Sequence, residues 1–206
     1  MLINHTREKL LNAIIFFLKN TKYCGITKLC KLLYCLDFMH FRETGRPVTG
    51  LDYFAWDFGP VPQALYFELK NPSQELKAYI RKVLDSESGF EKLLPLKEFS
   101  NKHFCKRELK ILQDVVYIFK DAKAKDMTDA SHLPNHPWDK TIKGKGERKR
   151  IDYLLAIDNT EKSLNMKEAI LLIKEREQII KTFTSSMKTK IFLSLKPGCN
   201  STKFTN

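Results

Sequence analysis

Between Ile26 and His40, apolar residues recur at Ile26, Leu29, Leu33 and Leu36, and again at Leu32, Cys35 and Met39, so both sides of a 3.6-residue helix are apolar. A helix of that kind belongs in the middle of a bundle. Lys28, Lys31 and Asp37 lie on it, and each must leave between packed neighbours or find a partner, because an unpaired charge in a core is costly. Lys31, Tyr34 and Asp37 advance along one flank, which predicts a small polar patch beside the core. The helix is expected to stop near Glu43, since Gly45 supplies a left-handed cap and Pro47 cannot continue the ladder.

The same reading extends along the chain. Leu10, Ile14, Phe17 and Leu18 predict a first helix from about Thr6 to Lys19. Val48 to Asp57 alternates loosely, and Tyr53, Phe54 and Trp56 suit a short strand. Gly59-Pro60-Val61-Pro62 reads as a turn, with Pro62 opening a helix to about Lys70. Leu76, Ile80, Val83 and Leu84 predict a further helix, ended by Ser86 to Gly89. Leu93 to Phe99 reads as an edge strand pairing with Tyr53 to Asp57. Leu109, Leu112, Val116 and Phe119 mark a helix from about Lys106 to Lys120, with the outline of a capping box at Cys105 and Glu108. A short helix over Asp126 to His132, a flexible basic loop over Gly144 to Arg150 and a last helix capped by Asn165 and Glu168 follow.

The expected fold class is therefore mainly α (α+β): a helical bundle with a small two- or three-stranded β-hairpin or sheet packed on it. Residues 1–182 are expected to form one domain, with its C-terminal helix over about 165–182. Residues 183–206, rich in Ser, Thr and Lys, read as a flexible tail.

Composition changes the picture little. A chain of 206 residues with 43% hydrophobic content can bury one good core. The formal net charge of +12 implies attraction to anionic surfaces, but it is spread along the chain and reads first as a solvated basic face. No apolar run approaches the roughly 20 residues needed to span a bilayer, and the start of the chain lacks the outline of a signal peptide. No membrane association and a cytoplasmic location are expected. The five cysteines agree: Cys24, Cys30, Cys35 and Cys105 sit within apolar or helical patterns, and the odd count leaves at least one thiol unpaired.

Two blocks carry a family resemblance. In the first, Lys31, Tyr34, Asp37 and His40 on the helix are followed by Gly45, by Tyr53 and Trp56 on the strand, and by Gly59, Pro60 and Pro62 at the turn. In the second, Ser131-His132 precedes Pro137-Trp138. Together, over 26–141, they resemble the signature of the Panacea domain, the SocA-like antitoxin family. The resemblance implies an antitoxin that binds and neutralises a cognate toxin encoded beside it, within a family found with phages and mobile elements. Some family members act as adaptors that deliver the toxin to a protease. The signature positions are then structural or partner-binding.

Three chemical readings compete for the histidine-containing segment. His132 and His136 have the gap of a zinc half-site that His103 and Cys105 could complete, but Pro134 keeps the two histidines off a shared helix face and no Cys-x-x-Cys exists. Asp129, Ser131 and His132 are triad residue types, yet as neighbours on one helix they project in different directions. The favoured reading is structural: His132 bonded to a backbone carbonyl or to Asp37, and Trp138 closing the core with its indole N–H satisfied. Neither enzyme activity nor a metal or other cofactor is expected. The alternative function is a nucleic-acid-binding regulator, autoregulating its operon, with Lys28, Lys31, Lys143, Lys145, Arg148, Lys149 and Arg150 as phosphate contacts.

Overall fold

The computed structural model describes residues 5–86 and 89–194, with side chains described to residue 182. Eight α-helices and four short strands occupy these residues. Helix α1 (Thr6–Asn20) packs beside α2 (Ile26–Thr44), and α2 is the axis of the fold. Leu29, Leu32, Leu33 and Leu36 of α2 have no exposed surface, and each such burial contributes about 1.5–3 kcal/mol. The helix stops where the sequence predicts: Gly45 takes the left-handed conformation (φ 67°) and its N–H bonds the Phe41 carbonyl at 2.7 Å.

Strands β1 (Phe54–Trp56) and β2 (Gly59–Val61) form a hairpin around Asp57 and Phe58, with Ala55 opposite Pro60 and Trp56 opposite Gly59. The Gly-Pro segment expected as a turn is thus itself a strand. Pro62 caps α3 (Gln63–Lys70), and Ser73 caps a single turn, α4 (Gln74–Lys77). Residues 80–84 do not continue that helix. They form β3 (Ile80–Leu84), antiparallel to β4 (Glu91–Pro95), with Ile80 opposite Pro95 and Lys82 opposite Leu93. A helix would have buried Leu76, Ile80, Val83 and Leu84 along one stripe, whereas only Leu76 and Ile80 are buried. The expected pairing of Leu93–Phe99 with Tyr53–Asp57 is likewise replaced by two separate hairpins. The expected helix end over Ser86 to Gly89 includes two residues outside the described ones.

Helices α5 (Lys106–Phe119) and α6 (Ala124–Ser131) both lie against α2, and α7 (Pro137–Lys145) lies against β1. At the start of α5 the Cys105 N–H donates to Glu108 Oε2 at 2.8 Å, so the carboxylate half of the expected capping box is formed. The basic segment expected as a flexible loop is anchored instead. Its first residues belong to α7, and residues 148–151 run beside β1, where Ala55 N–H donates to the Lys149 carbonyl and Ile151 N–H to the Tyr53 carbonyl. A 3-10 turn (Tyr153–Ala156) then leads to α8 (Met166–Ser194), whose start carries the predicted reciprocal bonds between Asn165 and Glu168. Helix α8 extends past Phe183, and residues 195–206 of the expected tail lie outside the described residues. No helix among the described residues is long and apolar enough to cross a membrane.

Candidate functional site

Lys31 leaves the central helix toward the β1–β2 hairpin and is 2% exposed. Its ammonium donates to the Phe58 carbonyl and, at 3.4 Å, to Ser131 Oγ. Gly59 lies directly against it: a Cβ there would overlap Lys31 Nζ and come within 2.8 Å of Ser131 Oγ and 3.4 Å of His132 Nε2. The His132 ring stacks on Trp138 with centroids 3.7 Å apart and planes 7° apart, and Trp138 Nε1–H donates to the Trp56 carbonyl at 2.9 Å. Lys31, Gly59, Ser131, His132 and Trp138, spread over three stretches of chain, therefore meet at one point.

Desolvation pushes the Lys31 ammonium down to about 8, and no carboxylate stands near enough to counter it. The Lys31 charge also helps burial hold His132 below the ordinary histidine range. Because the folded protein releases the Lys31 proton more readily than the unfolded chain, this group makes stability rise with pH from about 8 to the ordinary lysine value of 10.5. Relative to wild type, Lys31→Met is accordingly expected to lose ground by up to ~3 kcal/mol between those limits. Urea unfolding of both proteins across that range checks it, and parallel pH profiles would disprove it.

Nearly two turns further along α2, Asp37 is fully buried and accepts four hydrogen bonds. Thr49 N–H reaches Oδ1 at 2.6 Å, while Thr49 Oγ1, Tyr53 OH and Tyr153 OH reach Oδ2 at 2.5, 3.0 and 3.3 Å. Burial raises the carboxyl above its usual range, against the lowering effect of the Thr49 and Tyr53 bonds. The single Tyr153 hydroxyl proton is shared between Asp37 and the nearer Leu51 carbonyl at 2.6 Å, and its ring stacks on Phe38. His132 takes no part here, contrary to expectation; Nε2 is buried without a partner among the described residues. His40 is separate as well: its Nδ1 donates to the Arg46 carbonyl at 2.6 Å and fastens the turn after α2.

Two cavities flank Lys31. The smaller, about 320 Å³, lies toward Trp56, Phe58, Pro60, Tyr66 and Arg148. The larger, about 440 Å³, is a groove walled by Phe38, Met39, Phe119 and Leu133, with Tyr34 and Ser131 at its base. Tyr34 OH is buried and has no hydrogen-bond partner of good geometry among the described residues.

A family model described as "Antitoxin SocA-like, Panacea domain" matches residues 29–139. The chain belongs to that family. No curated protein and no solved structure gives a match. The Panacea match runs from α2 into the first turn of α7 and leaves α1 and α8 outside it. Every residue of the cluster around Lys31 lies within it, as do Asp37, Thr49 and Tyr53. Tyr153, the fourth donor to Asp37, lies beyond it.

The other chemistry weighed from sequence is rearranged. Ser131 Oγ donates to the Thr128 carbonyl at 2.8 Å, and His132 faces Trp138, so no Ser-His pair is assembled. Among the described residues the metal-ligand types that meet are His40, Cys105 and Glu108, not His132 and His136. Glu108 there is engaged by Lys9 at 2.6 Å. Lys28 has no exposed surface and donates to the carbonyls of Lys22, Lys120 and Ala122, so neither it nor Lys31 reaches a phosphate. Lys143 pairs with Asp139 and Arg150 with Asp52, which leaves Lys145, Arg148 and Lys149 as exposed cations of the basic segment.

Proposed function

We propose that this Panacea protein is an antitoxin that neutralises a cognate toxin by binding it directly. The observation that carries the reading is the groove beside the signature cluster: its rim exposes Ile118 (56%) and Leu133 (48%), with Tyr117 (89%) next along α5. Large apolar side chains gathered at the mouth of a concave site are suited to a protein partner. The signature residues themselves form a buried frame that sets the shape of this surface. Neither the Ser131 surroundings nor the Asp37 network offers a paired nucleophile and base, so a binding role fits better than a hydrolytic one. The net charge of +12 favours fast capture of an acidic partner, with an on-rate that falls as salt rises.

Co-expression of the chain with each neighbouring small open reading frame tests the reading. Growth rescue from one of them, together with a complex that survives purification, is the expected result. If no neighbour is toxic and none binds, the antitoxin reading fails. Delivery of the toxin to a protease would instead appear as toxin loss that stops in a protease-deficient host.

A further inference from the structure

Three features converge on the base of the larger groove, each with something missing. The first is Lys31. Its ammonium has three donors, and its two bonds go to a carbonyl and a hydroxyl, both neutral, so its charge has no counterion. A cation taken out of water without an anion is costly unless something that binds there supplies one.

The second is Tyr34, one turn along α2 on the same flank. It is 5% exposed, lines the groove, and its hydroxyl has no hydrogen-bond partner of good geometry among the described residues. Buried hydroxyls without partners are rare in folded proteins, and in a groove wall they mark a place for a ligand atom. The third is the amino end of the nine-residue helix α7. His136 at its N-cap makes no capping side-chain bond, Pro137 occupies its first turn, and the Asp139 carboxylate of that turn is taken up by the Asn135 N–H and Lys143. Burial pushes the Tyr34 hydroxyl up, and the Trp138 backbone N–H facing its oxygen offsets this in part without closing a hydrogen bond of good geometry. Helix amino ends carry a partial positive charge and attract anions.

We propose that the base of this groove is a carboxylate subsite, which takes an acidic side chain of the bound toxin between the Lys31 ammonium, the Tyr34 hydroxyl and the amino end of α7. The proposal rests on the antitoxin reading and adds the chemistry of the anchor. A carboxylate fits better than a phosphate because the base of the groove holds one buried cation: Arg42 is paired with Asp158 at 3.2 Å, and Lys140 sits part-exposed on the wall with its ammonium on the Leu155 carbonyl at 3.3 Å. Lys31 is the deeply buried ammonium of the groove, whereas Lys140 is only part-buried, so one negative charge suffices at the base. The walls of Phe38, Met39 and Phe119 suit the methylenes of a glutamate and its apolar neighbours better than a sugar-phosphate chain.

Pentanoate, its neutral isostere pentanamide and inorganic phosphate serve as probes of the full-length protein labelled with nitrogen-15. Pentanoate should shift the Trp138 and Asp139 amide resonances saturably, pentanamide should not, and phosphate should bind more weakly than pentanoate. Tyr34→Phe removes only the unpartnered hydroxyl. It should leave the thermal midpoint unchanged or raised while weakening pentanoate about tenfold. A midpoint that falls with pentanoate binding unchanged would make the hydroxyl structural and overturn the subsite, as would the absence of any pentanoate shift in wild type.

The toxin found by co-expression provides the second arm. Its affinity should fall about tenfold for Tyr34→Phe. Full affinity for that variant would overturn the subsite and leave the antitoxin reading intact. Pentanoate binding with no toxic neighbour would support the carboxylate chemistry and overturn the toxin as its source.

Discussion

Replacing Asp37 by Ala is expected to lower the unfolding free energy by about 3–5 kcal/mol, read from urea denaturation midpoints. The carboxylate, itself without exposed surface, is the acceptor for one backbone amide and three hydroxyls. Of these donors only Tyr153 has a second acceptor among the described residues, the Leu51 carbonyl. The variant therefore takes the acceptor from the Thr49 amide, the Thr49 hydroxyl and the Tyr53 hydroxyl, all buried, and their desolvation penalty remains. Asp37→Asn should cost less, about 1–2 kcal/mol, because its oxygen keeps the Thr49 amide while the hydroxyls turn to accept from the new NH₂. Its deficit should also depend on pH. Asp37 binds its proton more tightly in the folded protein, so its contribution is largest below the ordinary carboxylate value of 3.8 and is lost as pH rises through the raised folded value. The Asn variant should thus sit closer to wild type at neutral pH than in acid. An Ala variant within about 1 kcal/mol of wild type would show that the network adds nothing net.

The central helix was legible because its pattern is redundant: two apolar faces, a glycine at the stop and a proline beyond it all specify the same element. The short second hairpin was not. Leu76 and Ile80 are four residues apart and both buried, which is the spacing of a helix face, but the helix ends after one turn and Ile80 opens a strand. Val83 and Leu84 are apolar without being buried, so hydrophobicity there reported no face at all. Pairing was lost for a related reason. Trp56 and Gly59 are joined by only two residues, and the proline beside Gly59 suggested a turn where Pro60 in fact lies opposite Ala55 in the ladder.

At the site, sequence located the participants and not their partners. That Asp37 needs donors follows from its place on a buried helix; that one of them is Tyr153, 116 residues later, has no local signal. Lys31 and Ser131 are 100 residues apart and meet because α6 lies against α2. The family resemblance held both stretches in view, but only the fold shows that Gly59 is what lets them touch.

Gly59→Ala should consequently be among the most damaging single substitutions in the chain, at about 3–5 kcal/mol. Two independent effects act together. At φ 108° an L-residue is strained, a cost of about 1–3 kcal/mol that no neighbour can relieve. The added methyl would also overlap Lys31 Nζ and crowd Ser131 Oγ. A lysine end is normally able to swing aside, but this one is buried and held by the Phe58 carbonyl, so retreat sacrifices that bond and leaves the ammonium worse solvated. A double-mutant cycle separates the two effects. Shortening the lysine with Lys31→Ala removes the overlap and leaves the backbone strain, so the pair should be more stable than the sum of the single losses predicts, by about 1–2 kcal/mol. Strict additivity would place the whole cost in the backbone and deny that Gly59 is there to admit Lys31. Positive coupling would explain why a glycine on the hairpin and a lysine on the central helix belong to one signature: the lysine can be buried at the junction only where the strand beside it has no side chain.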